Sequence, residues 1–363
     1  MSAVVRLAAV ARSAPKLALL GTGVVGSAFV TRHQRLLERG LPLPALAWLA
    51  NSRALHPCGQ SSQQALDTAR QAAPRHAGLP PWAEAEALCA GDIVVDATAS
   101  ESVADWHPQW LSRGVHVVTS NKLGNGSSLL RAQAIAGARA DSGAHYGDAA
   151  TVGAGLPLLS SLRALVVGGD RIHRVEGVLS GSLAWLFNHY DGAGLFSELV
   201  RQASGAGYTE PDPRIDLSGE DVRRKLLILA RAAGLPLQAE DVRVESLVPA
   251  ELAALPQGEL DAALGQLDAP LATRFSDACR NGRKLRFLGR FDAEGASVGL
   301  QALPADHPLC GGGGTDNRVT IFSDRYLDQP LVIQGPGAGA EVTAAALLDD
   351  VLRISSLQAH ASR

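Results

Sequence analysis

Lys16-Leu17-Ala18-Leu19-Leu20-Gly21-Thr22-Gly23-Val24-Val25-Gly26 is the stretch that decides the fold. The apolar run Lys16–Leu20 reads as a buried strand, and Gly-Thr-Gly ends it. From Val24 onward the chain has the pattern of a helix start, so the glycines sit between a strand and a helix. Gly21 permits a tight turn and Gly23 lets backbone amides approach a pyrophosphate. Gly26 allows the helix to lie close on the strand. Val24 and Val25 open the helix, whose amino end favours an anion. In this setting the residues Gly21, Gly23, Val24, Val25 and Gly26 are read as a dinucleotide cradle.

The segments downstream repeat the alternation. Pro44–Ala50, Asp92–Thr98 and Val115–Thr119 read as further strands, with Ala144–Tyr146 as a short fifth. Short apolar strands alternating with helical patterns predict βαβ units and a parallel sheet, hence an α/β fold with a Rossmann-type domain. After Thr151 the texture changes. The turn Thr-Val-Gly-Ala-Gly-Leu-Pro (151–157) leads into a helix over Leu158–Val167. A strand is predicted over Arg171–Ser180, and helices over Leu183–His189, Phe196–Ala206 and Asp221–Ala233. Gly289–Leu303 and Arg318–Phe322 read as antiparallel strands around the Gly311–Gly314 run. Leu331–Ile333 with the helix Val342–Ile354 resembles one more strand–helix unit returning to the first domain. The expected organisation is residues 1–148 as the dinucleotide-binding domain, 149–336 as an α+β domain for substrate and dimerisation, and 337–363 as the return.

Composition fits this reading. A chain of 363 residues exceeds the usual single-domain size. With 46% apolar and 19% charged residues it has the balance of a globular protein. A net charge of −3 gives no reason to expect nucleic acid, and no apolar stretch is long enough to span a bilayer. Cys58, Cys89, Cys279 and Cys310 are scattered without metal-ligand spacing, which reads as reduced thiols in a cytoplasmic protein. Met1–Ala14 contains Arg6 and Arg12 and no acid, a faint likeness to a targeting segment. We read it as a frayed N-terminus.

The end of the second strand speaks to which dinucleotide is bound. NAD sites usually carry an acid there for the ribose hydroxyls, but this chain reads Asn51-Ser52-Arg53. Arg53 can pair with a 2′-phosphate and Ser52 can hydrogen-bond it, so NADP is expected, with NAD as the alternative. The fourth strand ends in Thr119-Ser120-Asn121-Lys122, which places Lys122 at the ligand-binding edge of a parallel sheet.

The most specific run is Gly207-Tyr-Thr-Glu210-Pro-Asp212-Pro-Arg-Ile-Asp216-Leu-Ser-Gly219-Glu-Asp221-Val-Arg-Arg-Lys225. The prolines force an extended loop, and Asp221 and Lys225, four apart, share one helix face. So many carboxylates beside a lysine suit a cationic amino-acid substrate, although an ordinary ion pair on a capped helix has the same spacing. A lysine in an enclosed pocket can exchange a proton with a substrate hydroxyl.

This run resembles the signature of homoserine dehydrogenases, filled by Gly207, Tyr208, Thr209, Asp212, Pro213, Asp216, Leu217, Gly219, Asp221 and Lys225. Similar family-like stretches are Gly21–Gly26, Thr119–Lys122, Thr151–Pro157, Val175–Asn188 and Gly335–Ala345. The resemblance implies oxidation of homoserine and reduction of aspartate semialdehyde in threonine and methionine biosynthesis. It implies Lys225 as acid/base and Lys122 as a group polarising the carbonyl oxygen. Glu210, Asp216 and Asp221 would hold the substrate. Thr98, Lys122 and Gly339 would contact the cofactor, and two copies would form a homodimer. It also implies a site for a monovalent cation such as sodium, built from backbone carbonyls of Ala149, Val152, Ala154 and Leu156.

Two departures are visible. The family often has Glu-Ala-Thr-Val where this chain has Ala149-Ala150-Thr151-Val152, and Leu123 stands where many relatives have a second lysine. No aspartokinase half and no C-terminal regulatory domain is expected. Two rivals are a phosphorylating semialdehyde dehydrogenase, which needs an activated cysteine, and a non-catalytic NADP sensor. The sensor has no need for Lys122, Glu210, Asp221 and Lys225 together.

Overall fold

A computed structural model describes residues 14–59, 61–74, 80–85 and 87–361, so the targeting question lies outside the described residues. Six strands form the first sheet: β1 (Leu17–Leu20), β2 (Leu46–Ala50), β3 (Leu55–Pro57), β4 (Ile93–Asp96), β5 (His116–Thr119) and β6 (Tyr146–Gly147). Their order is β3-β2-β1-β4-β5-β6, and every pairing is parallel except β2 with β3. All four residues of β1, and likewise of β4 and β5, are buried, so these strands are apolar without alternation. The chain runs outward from β1 to β2 and then crosses back to β4. The crevice at the carboxyl ends of β1 and β4 is therefore the switch point where such sheets bind ligands.

The second sheet contains β7 (Ile172–Val178), β8 (Val242–Val244), β9 (Arg283–Asp292), β10 (Gly295–Pro304), β11 (Asp316–Ser323) and β12 (Leu331–Pro336), in the order β12-β11-β7-β9-β10-β8. It is antiparallel apart from β10 with β8. The helix Glu220–Ala232 buries Val222, Leu226, Leu227 and Leu229 in its core, together with Phe287, Phe291 and Val319 of the strands.

Two sequence expectations are revised. Gly289–Leu303 is not one strand: it spans most of the hairpin β9–β10, which turns where the Asp292 carboxylate accepts from the Glu294 amide at 2.8 Å. The terminal strand–helix unit also divides. β12 stays in the second sheet, antiparallel to β11, because its neighbour offers a free edge there. Only the helix Ala340–Ala361 packs on the first sheet's side, where Leu347, Leu348, Val351 and Ile354 join Leu17, Leu19 and Phe29 in one core.

Candidate active site

The glycine turn is shaped as its residues require. Gly21 has φ of 101°, and a Cβ there would lie 2.7 Å from the Ala97 carbonyl oxygen and 3.2 Å from the Thr98 methyl. A Cβ on Gly26 would collide with the Gly21 carbonyl, whereas one on Gly23 would meet nothing within 4 Å. The first and third glycines thus close the strand–helix packing, and the second leaves open space above the helix Val24–Glu38. Val24, at the start of that helix, is 76% exposed, an apolar surface that a bound dinucleotide would cover. These features fit a dinucleotide.

Arg53 does not face this opening directly. Its Nη1 donates to the carbonyls of Arg70 (3.3 Å) and Ala72 (3.2 Å). Arg70 instead reaches the glycine turn, donating from Nε to the Thr22 carbonyl at 3.1 Å and from Nη2 to Ser27 Oγ. Asn51 donates to Thr22 Oγ1 at 3.0 Å and so ties the end of β2 to the same turn. Arg70 escaped the sequence reading because it ends an unremarkable helix, Ser62–Gln71, with no motif around it.

Behind the turn, Thr98 is held by Asp96, which accepts from its amide (2.9 Å) and its hydroxyl (2.6 Å). The other Asp96 oxygen accepts from Asn121 Nδ2 at 2.9 Å and lies 3.0 Å from His107 Nε2. His107 Nδ1 in turn lies 3.0 Å from the Tyr146 hydroxyl. Asp96, His107 and Asn121 are buried, so this is a satisfied polar network linking β4, β5 and β6. No periodicity or motif in the sequence singles out His107. His173 and His189 lie elsewhere, on Asp324 and the Trp185 carbonyl.

Lys122, one residue beyond Asn121, meets the second sheet's helix. Its Nζ lies 3.1 Å from Asp221 Oδ1, and Lys225 Nζ lies 2.8 Å from Asp221 Oδ2. Lys225 also donates to the Leu179 carbonyl at 2.6 Å. It is buried, whereas Lys122 and Asp221 are each more than a third open to the cleft. Burial pushes the Asp221 carboxyl upward, but Lys225 and Lys122 outweigh it and hold the group below the usual carboxylate range.

The loop carboxylates take different positions. Asp216 accepts from Ser182 Oγ (2.7 Å) and from the Glu210 amide (2.9 Å), which fixes the loop, while Glu210 itself is exposed. Asp212 pairs with Arg214, whose guanidinium donates to the Leu255 carbonyl at 2.6 Å. Gly339 lies just before the terminal helix, where its carbonyl accepts from Thr343 Oγ1 at 2.8 Å.

The turn after β6 holds Ala149, Val152, Ala154 and Leu156. Ala154 has φ of 49°, the only positive value outside glycine among the described residues. The Leu156 carbonyl accepts from the Leu158 amide at 2.8 Å. Among the described residues no group of three or more His, Cys, Asp or Glu side chains could hold a metal.

A glycine turn at the switch point, with Lys122 at the sheet's carboxyl edge paired to the carboxylate that also holds a buried lysine, defines an NAD(P)-dependent oxidoreductase. The family profile described as "Homoserine dehydrogenase" matches residues 157–352, and "Homoserine dehydrogenase, NAD binding domain" matches 21–146. A homoserine dehydrogenase of Paracoccidioides brasiliensis is 38% identical over 93% of this chain and 97% of its own. A chloroplastic bifunctional aspartokinase/homoserine dehydrogenase 1 of Zea mays is 45% identical over 73% of this chain, which spans 29% of that protein's length. A crystal structure of a Candida auris protein of unknown function superposes with a TM-score of 0.81 at 35% identity, covering 94% of this chain and 98% of its own. The chain belongs to the homoserine dehydrogenase family.

Proposed function

We propose that the protein interconverts L-homoserine and L-aspartate 4-semialdehyde with NADP(H), in the cytoplasm and in the service of threonine and methionine biosynthesis. The observation that carries this reading is the Lys122–Asp221–Lys225 cluster, reached from the glycine turn through Thr98, Asp96 and Asn121.

NADPH, when bound, supplies the hydride for reduction. The turn Gly21–Gly26 would hold the pyrophosphate, and Thr98, Lys122 and Gly339 would contribute further cofactor contacts. As the aldehyde carbon is reduced its oxygen gathers negative charge, and Lys225 Nζ gives that oxygen a proton. In the oxidative direction the same amine removes it. Lys122 adds a second positive charge beside the developing alkoxide. Glu210 and Asp221 hold the substrate ammonium, and Asp216 keeps the Glu210 loop in place. The two buried thiols are poor nucleophiles: burial pushes Cys58 up to about 11 and raises Cys310.

NADP is favoured over NAD because no acid follows β2 and the Arg70 guanidinium lies on the glycine turn, with Arg53 bonded to the Arg70 carbonyl behind it. The carbonyls of Ala149, Val152, Ala154 and Leu156 would hold a monovalent cation. The left-handed Ala154, a conformation costing about 1 kcal/mol, is the feature that fits a turn shaped around an ion. Of the described residues, those within 14–148 and 337–361 form the dinucleotide-binding unit and those of 149–336 the substrate unit, through which two copies pair.

The test is NADPH absorbance when purified protein meets L-homoserine and NADP at alkaline pH, repeated with NAD. Rapid reduction supports the reaction, and the two rates give the cofactor preference. Folded protein that binds NADP yet turns over in neither direction would move the sensor reading ahead.

A further inference from the structure

The cluster needs Lys122 and the Asp221–Lys225 helix at a fixed distance, yet they come from different sheets. Lys122 starts a single helical turn, Leu123–Gly126, on the first sheet's side. Asp221 and Lys225 lie on the helix Glu220–Ala232. Six residues beyond Lys225, about 9 Å along that helix, stands Arg231. Its Nη1 donates to the Asn125 carbonyl at 2.5 Å and its Nη2 to the Ser127 carbonyl at 2.9 Å. Both acceptors lie at the carboxyl end of the Lys122 turn. Arg231 Nε and Nη2 also donate to the Leu237 carbonyl, at 3.2 and 2.9 Å, which anchors the guanidinium to its own side.

Gly126 makes the approach possible. A Cβ there would lie 2.8 Å from the Arg224 carbonyl and 3.0 Å from Ile228 Cδ1. The turn therefore rests directly on the helix, and the planar fork of an arginine spans the three carbonyls at once. A lysine has a compact head that cannot do so. Burial lowers the Arg231 guanidinium from its ordinary value, and the acceptors its hydrogen bonds reach are neutral carbonyls.

We propose that Arg231 is a positioning residue, a staple that sets the register of Lys122 against Asp221 and Lys225. Its hydrogen bonds go to the carbonyls of Asn125, Ser127 and Leu237, not to the glycine turn or the lysine cluster. This inference rests on the reaction proposed above. A shift of about 1 Å between catalytic groups can cost about 10²-fold in rate, so losing the staple should reduce kcat far more than it weakens dinucleotide binding, to which Lys122 is one contact among several.

The experiment compares wild type, Arg231→Ala and Arg231→Lys in the full chain. It measures turnover per dinucleotide-binding site, the Kd for NADPH by fluorescence, and amide hydrogen exchange. Arg231→Ala should lose about 10²-fold in kcat with a much smaller rise in the Kd for NADPH, since the glycine turn, Thr98 and Gly339 are left in place. Exchange should quicken at residues 123–127 and stay unchanged at 17–26. Arg231→Lys should fall between the two. If Arg231→Ala does not fold, Arg231→Lys carries the same readouts. Unchanged exchange at 123–127, or turnover per site within twofold of wild type, overturns the staple. Wild type that reduces neither cofactor overturns the proposed reaction instead, and the exchange comparison still decides the role of Arg231.

Discussion

Lys225 donates a hydrogen bond of 2.6 Å to the carbonyl oxygen of Leu179, the residue that follows β7. An ammonium has three protons. One goes to Leu179 and one to Asp221 at 2.8 Å, so the third is left for the cleft. The backbone carbonyl acts as a stop: it fixes where the amine sits whichever way the reaction runs.

Lys225→Ala should therefore abolish the proton transfer while leaving the glycine turn untouched. We expect kcat to fall by about 10²- to 10⁴-fold, the range for a positioned acid or base. NADPH affinity, read by fluorescence titration, should change by less than twofold. Turnover near the wild-type rate would remove Lys225 as the acid/base.

Asp221→Asn keeps the shape and removes the charge that Lys122 and Lys225 share. Two ammonium groups would then face each other across a neutral amide. A lost charge-assisted hydrogen bond costs about 1.5–3 kcal/mol, so kcat/KM for homoserine should drop about 10- to 100-fold. The wild-type carboxylate is held below the ordinary carboxylate range. An acid limb of the rate profile near neutral pH should therefore persist in Asp221→Asn, and its disappearance would assign that limb to Asp221.

The parallel sheet and the Asp221–Lys225 pair were readable because each depends on local sequence, whereas the meeting of Lys122 with Asp221 was not. β1, β4 and β5 are continuous apolar runs, and Gly21–Gly26 follows a strand directly. Asp221 and Lys225 are one helical turn apart. What could not be read depends on contacts between distant segments. Arg70 reaches Thr22 across 48 positions, and Arg231 reaches Asn125 across 106. His107 sits in an amphipathic helix, and only the fold turns it toward Asp96. The place of β12 was likewise set by its antiparallel partner β11, since Leu331–Pro336 alone fits either sheet.

Arg53 and Arg70 should decide cofactor choice together, because Arg53 grips the carbonyl of Arg70 while Arg70 lies on the glycine turn. Replacing Arg70 by Ala should raise KM for NADP about 10- to 100-fold, one charge-assisted contact, and leave KM for NAD within about threefold. Arg53→Ala should act in the same direction and, in the double variant, add less than its own single effect, because the two are coupled. Equal losses with NADP and NAD would place both arginines outside the 2′-phosphate site.

The first sheet also carries an acid-sensitive joint. His116 on β5 is buried, with Nδ1 accepting from the His145 amide at 2.8 Å and Nε2 2.9 Å from the Gln358 amide group of the terminal helix. Burial, and then the neighbouring His145 ring, lower its pKa to about 4. In the unfolded chain the same ring takes a proton near pH 6.5. Above that pH both states are neutral and the fold keeps this stability in full. As the pH falls from 6.5 towards 4 only the unfolded chain binds the proton, so stability drains away at up to about 1.4 kcal/mol per pH unit, about 3 kcal/mol in all. His116→Gln should flatten that slope, since an amide has nothing to titrate. Denaturant midpoints measured at pH 7, 6, 5 and 4 check this. Parallel curves for the two proteins would show that the acid sensitivity arises elsewhere, and a steeper wild-type fall confined to that window would locate it at the contact between β5 and the terminal helix.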